Sequence, residues 1–272
     1  MAISGDGQEV KRISVLHSSS LAALLMFYSV SDKNPLECTL TDGKNYTFTN
    51  SYFEVKTQVS GSHYSNMDAV LTGQREDDGK KVILFLECRF SEYLSTGMCN
   101  NISKDAYKEK YLELELIKSD FTDNGAIAGL SFGVGKGKDN AECLQIKSTG
   151  KPHYCDGVKQ MISHFIGVTY FATEGKNALD IKQKGQAFYK KLPELLHDGA
   201  QILLGEVLFD FGENVENAHS KLENYKSVYS KLAKILYEHT DKITILPEIH
   251  TYKDLLENFN LDAKVADFYQ FV

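Results

Sequence analysis

An α/β fold with a mixed central sheet flanked by helices is what three features of this chain predict. Amphipathic stretches at helical spacing open the sequence and recur after residue 150. Runs rich in Val, Ile, Phe and Tyr lie between them, and the two kinds of segment interleave instead of separating into blocks. With 272 residues the chain can bury a sizeable core, and its 42% hydrophobic and 25% charged residues sit near the averages of packed proteins. One domain over 1–272 is expected, with a core over about 14–211 and a C-terminal α/β extension over about 212–272.

Residues 14–30 read as the first helix, because Leu16, Ser20, Leu21, Leu24, Leu25 and Tyr28 recur near helical spacing and Ser18 to Ser20 can cap its first turn. From 45 to 59, Tyr, Thr, Phe and Val alternate with polar residues, which predicts one long strand or two strands with a bend. Residues 67–71 and 82–90 follow as an antiparallel pair joined by the polar, Gly-bounded connection 72–81. The second of these runs is apolar on both faces, as an interior strand covered on both sides would be.

A charged helix is expected over 104–118, and a Gly-rich stretch over 125–137. A helix over 154–170 presents Val158, Met161, Ile162 and Phe165 as a stripe, and 201–211 reads as a buried strand. Residues 221–239 form a long amphipathic helix, 243–246 a short strand and 251–258 a terminal helix. The chain shows no internal repeat and no low-complexity block.

Composition excludes several classes of function. The apolar run 21–28 is too short to cross a bilayer, and Asp6 and Glu9 ahead of it do not suit a secretion signal. Five irregularly spaced cysteines argue against a disulfide framework and for a reducing, cytoplasmic setting. His153 and Cys155 have no second pair at zinc-finger spacing. A net charge of −7 excludes a general nucleic-acid coat, because such binding draws its energy from Lys and Arg on phosphates. Any contact with DNA has to come from a local basic groove or from a metal ion that offsets carboxylates.

The residues that can carry chemistry are charges placed where a core strand would exclude them. Asp68 is the one charge in its short apolar run, and Glu87 and Arg89 close a strand whose preceding five residues carry none. A connection centred between Asp77 and Asp78 sets Asp68 opposite Glu87, and the two-residue period sets Glu87 and Arg89 on one face. The three side chains are then expected to converge. Two adjacent carboxylates repel unless a cation or a proton lies between them, and hard oxygen ligands of this kind suit Mg²⁺ or Mn²⁺. The competing structural reading is an ion pair at a strand end, with Arg89 bridging Asp68 and Glu87.

At these residues the sequence resembles the PD-(D/E)XK phosphodiesterase superfamily, the restriction-endonuclease-like fold, and looks closest to its poorly characterised bacterial branch. Asp68 in SNMDAVL matches the family's first acid, with Ser65-Asn66 where other members carry proline. Glu87 in LFLECRF matches the second acid, and Arg89 stands at the lysine position. The resemblance extends over the element order from 14 to about 211. It implies a Mg²⁺-dependent nuclease acting on DNA, with Asp68, Glu87 and the Cys88 carbonyl as metal ligands and Arg89 on the scissile phosphate. Gln160 matches a glutamine that some branches place on the helix after the active strands. Arg stays protonated and cannot act as a base, but it can neutralise developing charge, and a metal-bound hydroxide can supply the nucleophile.

The same motif supports an alternative: a catalytically inactive relative serving as a nucleic-acid- or protein-binding module, which the missing lysine and the acidic charge favour. A third option is a structural or immunity-type partner whose acidic surface meets a basic protein. Self-association is left open. Among other features, Gly133 to Lys138 lacks the Gly-x-x-x-x-Gly-Lys-Ser/Thr phosphate-loop pattern and is expected to be a flexible turn. Glu54 and Glu92 are expected to be solvated or pairing acids, and His164, four residues after Gln160, a packing or capping residue. No Gly-x-Ser-x-Gly elbow is present.

Overall fold

A computed structural model describes residues 19–60, 63–94, 130–136, 142–148, 155–180 and 188–269. Helix α1 (Ser19–Phe27) comes first, then strands β1 (Leu36–Thr39), β2 (Asn45–Ser60), β3 (His63–Arg75) and β4 (Lys81–Arg89). A separate antiparallel pair, β5 (Leu130–Lys136) and β6 (Glu142–Ser148), precedes helices α2 (Cys155–Glu174) and α3 (Phe188–His197). Strand β7 (Gln201–Leu208), helix α4 (Ala218–Glu238), strands β8 (Thr244–Ile245) and β9 (His250–Thr251), and helices α5 (Tyr252–Leu255) and α6 (Ala263–Phe268) complete it.

Among the described residues the central sheet is mixed and has seven strands in the order β1-β2-β3-β4-β7-β8, with β9 also on β7. Strands β1 to β4 run antiparallel, whereas β7 joins β4 in parallel and β8 and β9 join β7 in parallel. Parallel neighbours are covered on both faces, and β4 shows why its sequence is apolar throughout. Ile83 and Phe85 meet a core built with α2 and α4, while Val82, Leu84, Leu86 and Cys88 meet a second core built with α1, α5 and α6.

The turn between β3 and β4 fixes their register. Gly79 adopts φ of 68° there, and Arg75 holds Asp77 at 2.7 Å and also Asp78. Pairing from Gln74↔Lys81 to Ala69↔Leu86 follows the expected centre between Asp77 and Asp78.

Several elements differ from the sequence reading. The connection expected over 72–81 is shorter, because β3 runs on to Arg75. Strands β1, β5, β6 and β9 and helices α3 and α6 were not anticipated. Gly133 to Lys136 lie in β5, where Gly133 pairs with Gln145, so a ladder partner overrides the turn preference of glycine. Lys138 and the helix expected over 104–118 lie outside the described residues. The C-terminal segment is expected to be an extension, and its β8 and β9 join the same central sheet. Among the described residues, no helix is long and apolar enough to cross a membrane.

Candidate active site

One cross-strand row of the central sheet carries four acids. The pairs Phe53↔Ala69 and Val55↔Met67 place Glu54 of β2 opposite Asp68 of β3. The β3–β4 register, continued one step past Ala69↔Leu86, places Asp68 opposite Glu87. Glu87 is in turn the registered neighbour of Glu206 on β7. Relative exposure is 2% at Glu54, 7% at Asp68, 5% at Glu87 and 1% at Glu206, so water screens none of them. Like charges side by side on a sheet oppose its formation, and burial multiplies the cost.

Each acid is held differently. Asp68 stands where β3–β4 pairing stops, and its Oδ2 accepts the Cys88 backbone N–H at 2.9 Å, while Oδ1 accepts Ser20 Oγ of α1 at 3.1 Å. Glu87 turns to the other side: its Oε2 lies 2.8 Å from His164 Nε2 on α2, and its Oε1 lies 3.7 Å from Arg89 Nη1. The His164 approach has ion-pair distance, with the N–H direction off the line of a full hydrogen bond. Ser65 Oγ contacts Nδ1 of the same ring. Glu54 takes the Asn66 side-chain amide on Oε2, and its backbone adopts φ of 54°, a left-handed conformation that L residues avoid. Such an outlier costs about 1–3 kcal/mol and persists only where the surroundings hold it.

Arg89 supplies the guanidinium of the row, and it is directed to Glu206. Nε donates to Glu206 Oε2 at 2.9 Å and Nη2 to Oε1 at 3.2 Å, a two-point pair that suits a planar fork. Nη1 donates to Gln160 Oε1 at 2.9 Å, and the guanidinium carbon lies 5.4 Å from the centre of the Tyr225 ring. Tyr225 Oη donates to Glu206 Oε2 at 2.8 Å. Gly157 makes room for this tyrosine, since a Cβ there would lie 2.6 Å from its hydroxyl oxygen.

Protonation follows from burial. Burial first, then the fields of Glu87 and Glu54, raise the Asp68 carboxyl well above its usual range, against the opposing pull of the Cys88 N–H. Glu87 is raised to about 8 by burial, with Arg89 acting the other way and Glu206, Glu92 and Glu54 adding to the rise. Burial lowers His164 to about 4, so its ring is neutral near pH 7. Arg89 stays charged: burial opposes the charge, but Glu206, Tyr225 and Glu87 outweigh it. Among the described residues the row therefore has more acids than cations, and without a further cation it holds protons at neutral pH.

The expected residues are brought together in part. Asp68 and Glu87 occupy adjacent antiparallel strands, and Arg89 lies on the side of Glu87. Arg89 makes no ion pair with Asp68 among the described residues, because Glu206 takes its two parallel donors. Gln160 is solvent-exposed at its outer end and touches Arg89. The Cys88 backbone holds Asp68, and its thiol is buried in the opposite core. Glu54 is buried, in contrast to the solvated acid expected; its neighbours Phe53 and Val55 are part of the core, which draws it inside. Glu92 is exposed and accepts the Phe90 N–H at 2.7 Å.

Glu206, Tyr225 and Ser65 were missed. Glu206 carried the signal used for Asp68, a lone charge in the apolar run QILLGEVL. The chain matches no family model, no curated protein and no solved structure.

Each carboxylate oxygen of Asp68 accepts one hydrogen bond and retains further acceptor capacity. Among the described residues, no group of three or more His, Cys, Asp or Glu is placed so that it could hold a metal ion. Mg²⁺ takes one or two carboxylates and keeps several waters.

Proposed function

We propose that the chain is a metal-dependent phosphodiesterase of the restriction-endonuclease-like kind acting on DNA, with Asp68 and Glu87 as ligands of Mg²⁺ or Mn²⁺. The observation that carries this reading is the row of buried acids in register across the sheet at the point where β3 and β4 stop pairing. A buried excess of carboxylates beside a left-handed Glu54 opposes folding and calls for a compensating cation. When bound there, a divalent ion would offset the acids and activate water against a phosphodiester. Glu87 and Asp68 would hold the ion, with Glu54 adding to the field. Arg89, clamped by Glu206, would set the charge of the inner wall and keep Gln160 in place.

The test is cleavage of plasmid DNA by the purified protein with Mg²⁺ or Mn²⁺. Wild type is expected to cut, and Asp68→Asn and Glu87→Gln to lose about a hundredfold or more, since a metal contributes several kcal/mol of charge stabilisation. Arg89→Lys is expected to preserve or raise cleavage, because a compact ammonium cannot fill the two-point pair with Glu206 and can turn to phosphate.

A specific observation favours a second reading, that of a non-catalytic binding module. Arg89 is 2% exposed and both of its parallel donors are taken, so it presents no free fork to a phosphate. Metal binding without cleavage by wild type or Arg89→Lys would select this reading.

A further inference from the structure

Tyr64 of β3, the short 3-10 turn Gly175–Ala178 and α3 line a cleft of about 850 Å³, within the roughly 300–1,000 Å³ of ligand sites. It shares no residue with the acid row. One face of α3 forms its long wall: Tyr189, Pro193 and His197 follow at a spacing of four, which at 1.5 Å per residue makes about 12 Å. Tyr64 comes from the stretch of β3 that pairs with β2 and not with β4. Leu179, bridged to Thr57 of β2, adds a buried apolar contact.

Aromatic surface and positive charge meet in this cleft. Both tyrosines are half-buried, so part of each ring is open. Burial first, then the field of Asp180, raise both phenols, which keeps the rings neutral. Tyr189 Oη donates to the Lys176 carbonyl at 3.1 Å, and Lys190 follows Tyr189 in the chain, so two lysines attend one ring. Both lysines are exposed, and among the described residues neither forms an ion pair. The acids of the cleft are Glu194 and Asp198; Lys81 takes Asp198 at 2.6 Å, and His197 lies 3.9 Å from it. Two lysines therefore stand against one unpaired acid in a chain of net charge −7, a local excess that suits an anion.

We propose that this cleft binds single-stranded DNA, with bases stacked on Tyr64 and Tyr189 and the adjoining phosphates on Lys176 and Lys190. Stacking on an aromatic side chain accepts any base, and lysines attract the backbone without reading sequence. A duplex keeps its base faces inside the helix, so the single strand is the form that offers them to a tyrosine. The exposed rim at Lys176, Lys190 and Glu194 lets a strand pass along α3 and continue beyond it. The choice of DNA rests on the nuclease reading, whereas the stacking and the charge do not.

The test is fluorescence anisotropy of a labelled oligothymidylate with the full chain in EDTA, which removes any part played by a metal. Wild type is expected to bind it more tightly than a duplex of equal length. Tyr64→Ala should weaken binding by about 5–100-fold, the effect of losing one base–aromatic stack, and Tyr64→Phe should keep most of it. Lys176→Gln with Lys190→Gln should reduce the slope of log affinity against log salt by about 1.4, at about 0.7 per phosphate contact. These positions are exposed or half-buried, and unchanged melting temperatures check that the variants fold. No binding in EDTA, or equal affinity in wild type, Tyr64→Ala and the double lysine variant, would overturn the proposal. Competition by thymidine monophosphate as strong as by the oligomer would also overturn it, making the cleft a mononucleotide site. If metal-free binding follows the expected pattern while Mn²⁺ brings no cleavage, the nuclease reading fails and the cleft stands.

Discussion

The turn that joins β3 and β4 and the far end of the same pair of strands both carry acids, and they treat them in opposite ways. At the turn, Asp77 and Asp78 are exposed and both meet Arg75, whose hydrogen bonds lower the Asp78 carboxyl to about 2. At the other end, Asp68 and Glu87 are buried, and Glu87 is raised to about 8. Asp78 is therefore lowered by the hydrogen bonds of Arg75, while Asp68 and Glu87 are raised by burial. The turn satisfies its exposed acids with one half-buried arginine, while the buried row takes its guanidinium from Arg89 and spends it mainly on Glu206.

The largest expected effect comes from removing that guanidinium. Arg89→Ala leaves Glu206 and Glu87 without their cation in the core, and breaking a buried pair costs about 3–5 kcal/mol, to be read by denaturant unfolding. Arg75→Ala at the solvent-exposed turn should change stability far less. Similar losses at the two ends would dissolve the contrast. Next in size, Gly157→Ala pushes a methyl group into Tyr225 and its bond to Glu206, at a cost of about 1–3 kcal/mol.

The contrast also has a pH signature. Glu87 moves from about 4.5 unfolded to about 8 folded, so between these values the folded state binds the extra proton and stability falls as pH rises. His164, lowered from 6.5 to about 4, acts the other way between those two values, where the unfolded state binds the proton and stability rises with pH. The clean window is therefore 6.5 to about 8, where only the Glu87 effect remains of the two. Metal-free wild type should lose stability across it, with Glu87 contributing at most about 1.4 kcal/mol per pH unit, and Glu87→Gln should reduce the slope. A wild-type profile that rises through this window would contradict the placement of Glu87.

The smallest effect is expected at Glu54. Glu54→Gly removes one acid from the row and accepts φ of 54° without strain, so metal-free stability should hold or rise by about 1 kcal/mol while Mn²⁺ affinity falls. Destabilisation with unchanged affinity would make Glu54 a packing residue alone.

The β3–β4 half of this site was legible in the sequence. A symmetric turn and a two-residue period suffice to bring Asp68 opposite Glu87 and to put Arg89 on the side of Glu87. The rest depends on contacts distant in the chain. Glu206 showed the same lone-charge signal, but that β7 lies beside β4 with Glu87↔Glu206 in register is a tertiary fact. Glu54 sat in a stretch of alternating polar and apolar residues, where its left-handed backbone left no mark. Tyr225 read correctly as one residue of the apolar stripe of its helix, and only its hydroxyl reaches the site. His164 and Ser65 are 99 residues apart, and nothing in either neighbourhood announces the other.

The central claim is that the buried row is built around a divalent cation. Its most direct test is the melting temperature of wild type and of Asp68→Asn with and without Mn²⁺. The ion should raise it in the wild type and leave the variant unchanged, because binding to the folded state alone stabilises that state. Equal shifts in the two proteins, or no shift in the wild type at saturating Mn²⁺, would contradict the claim.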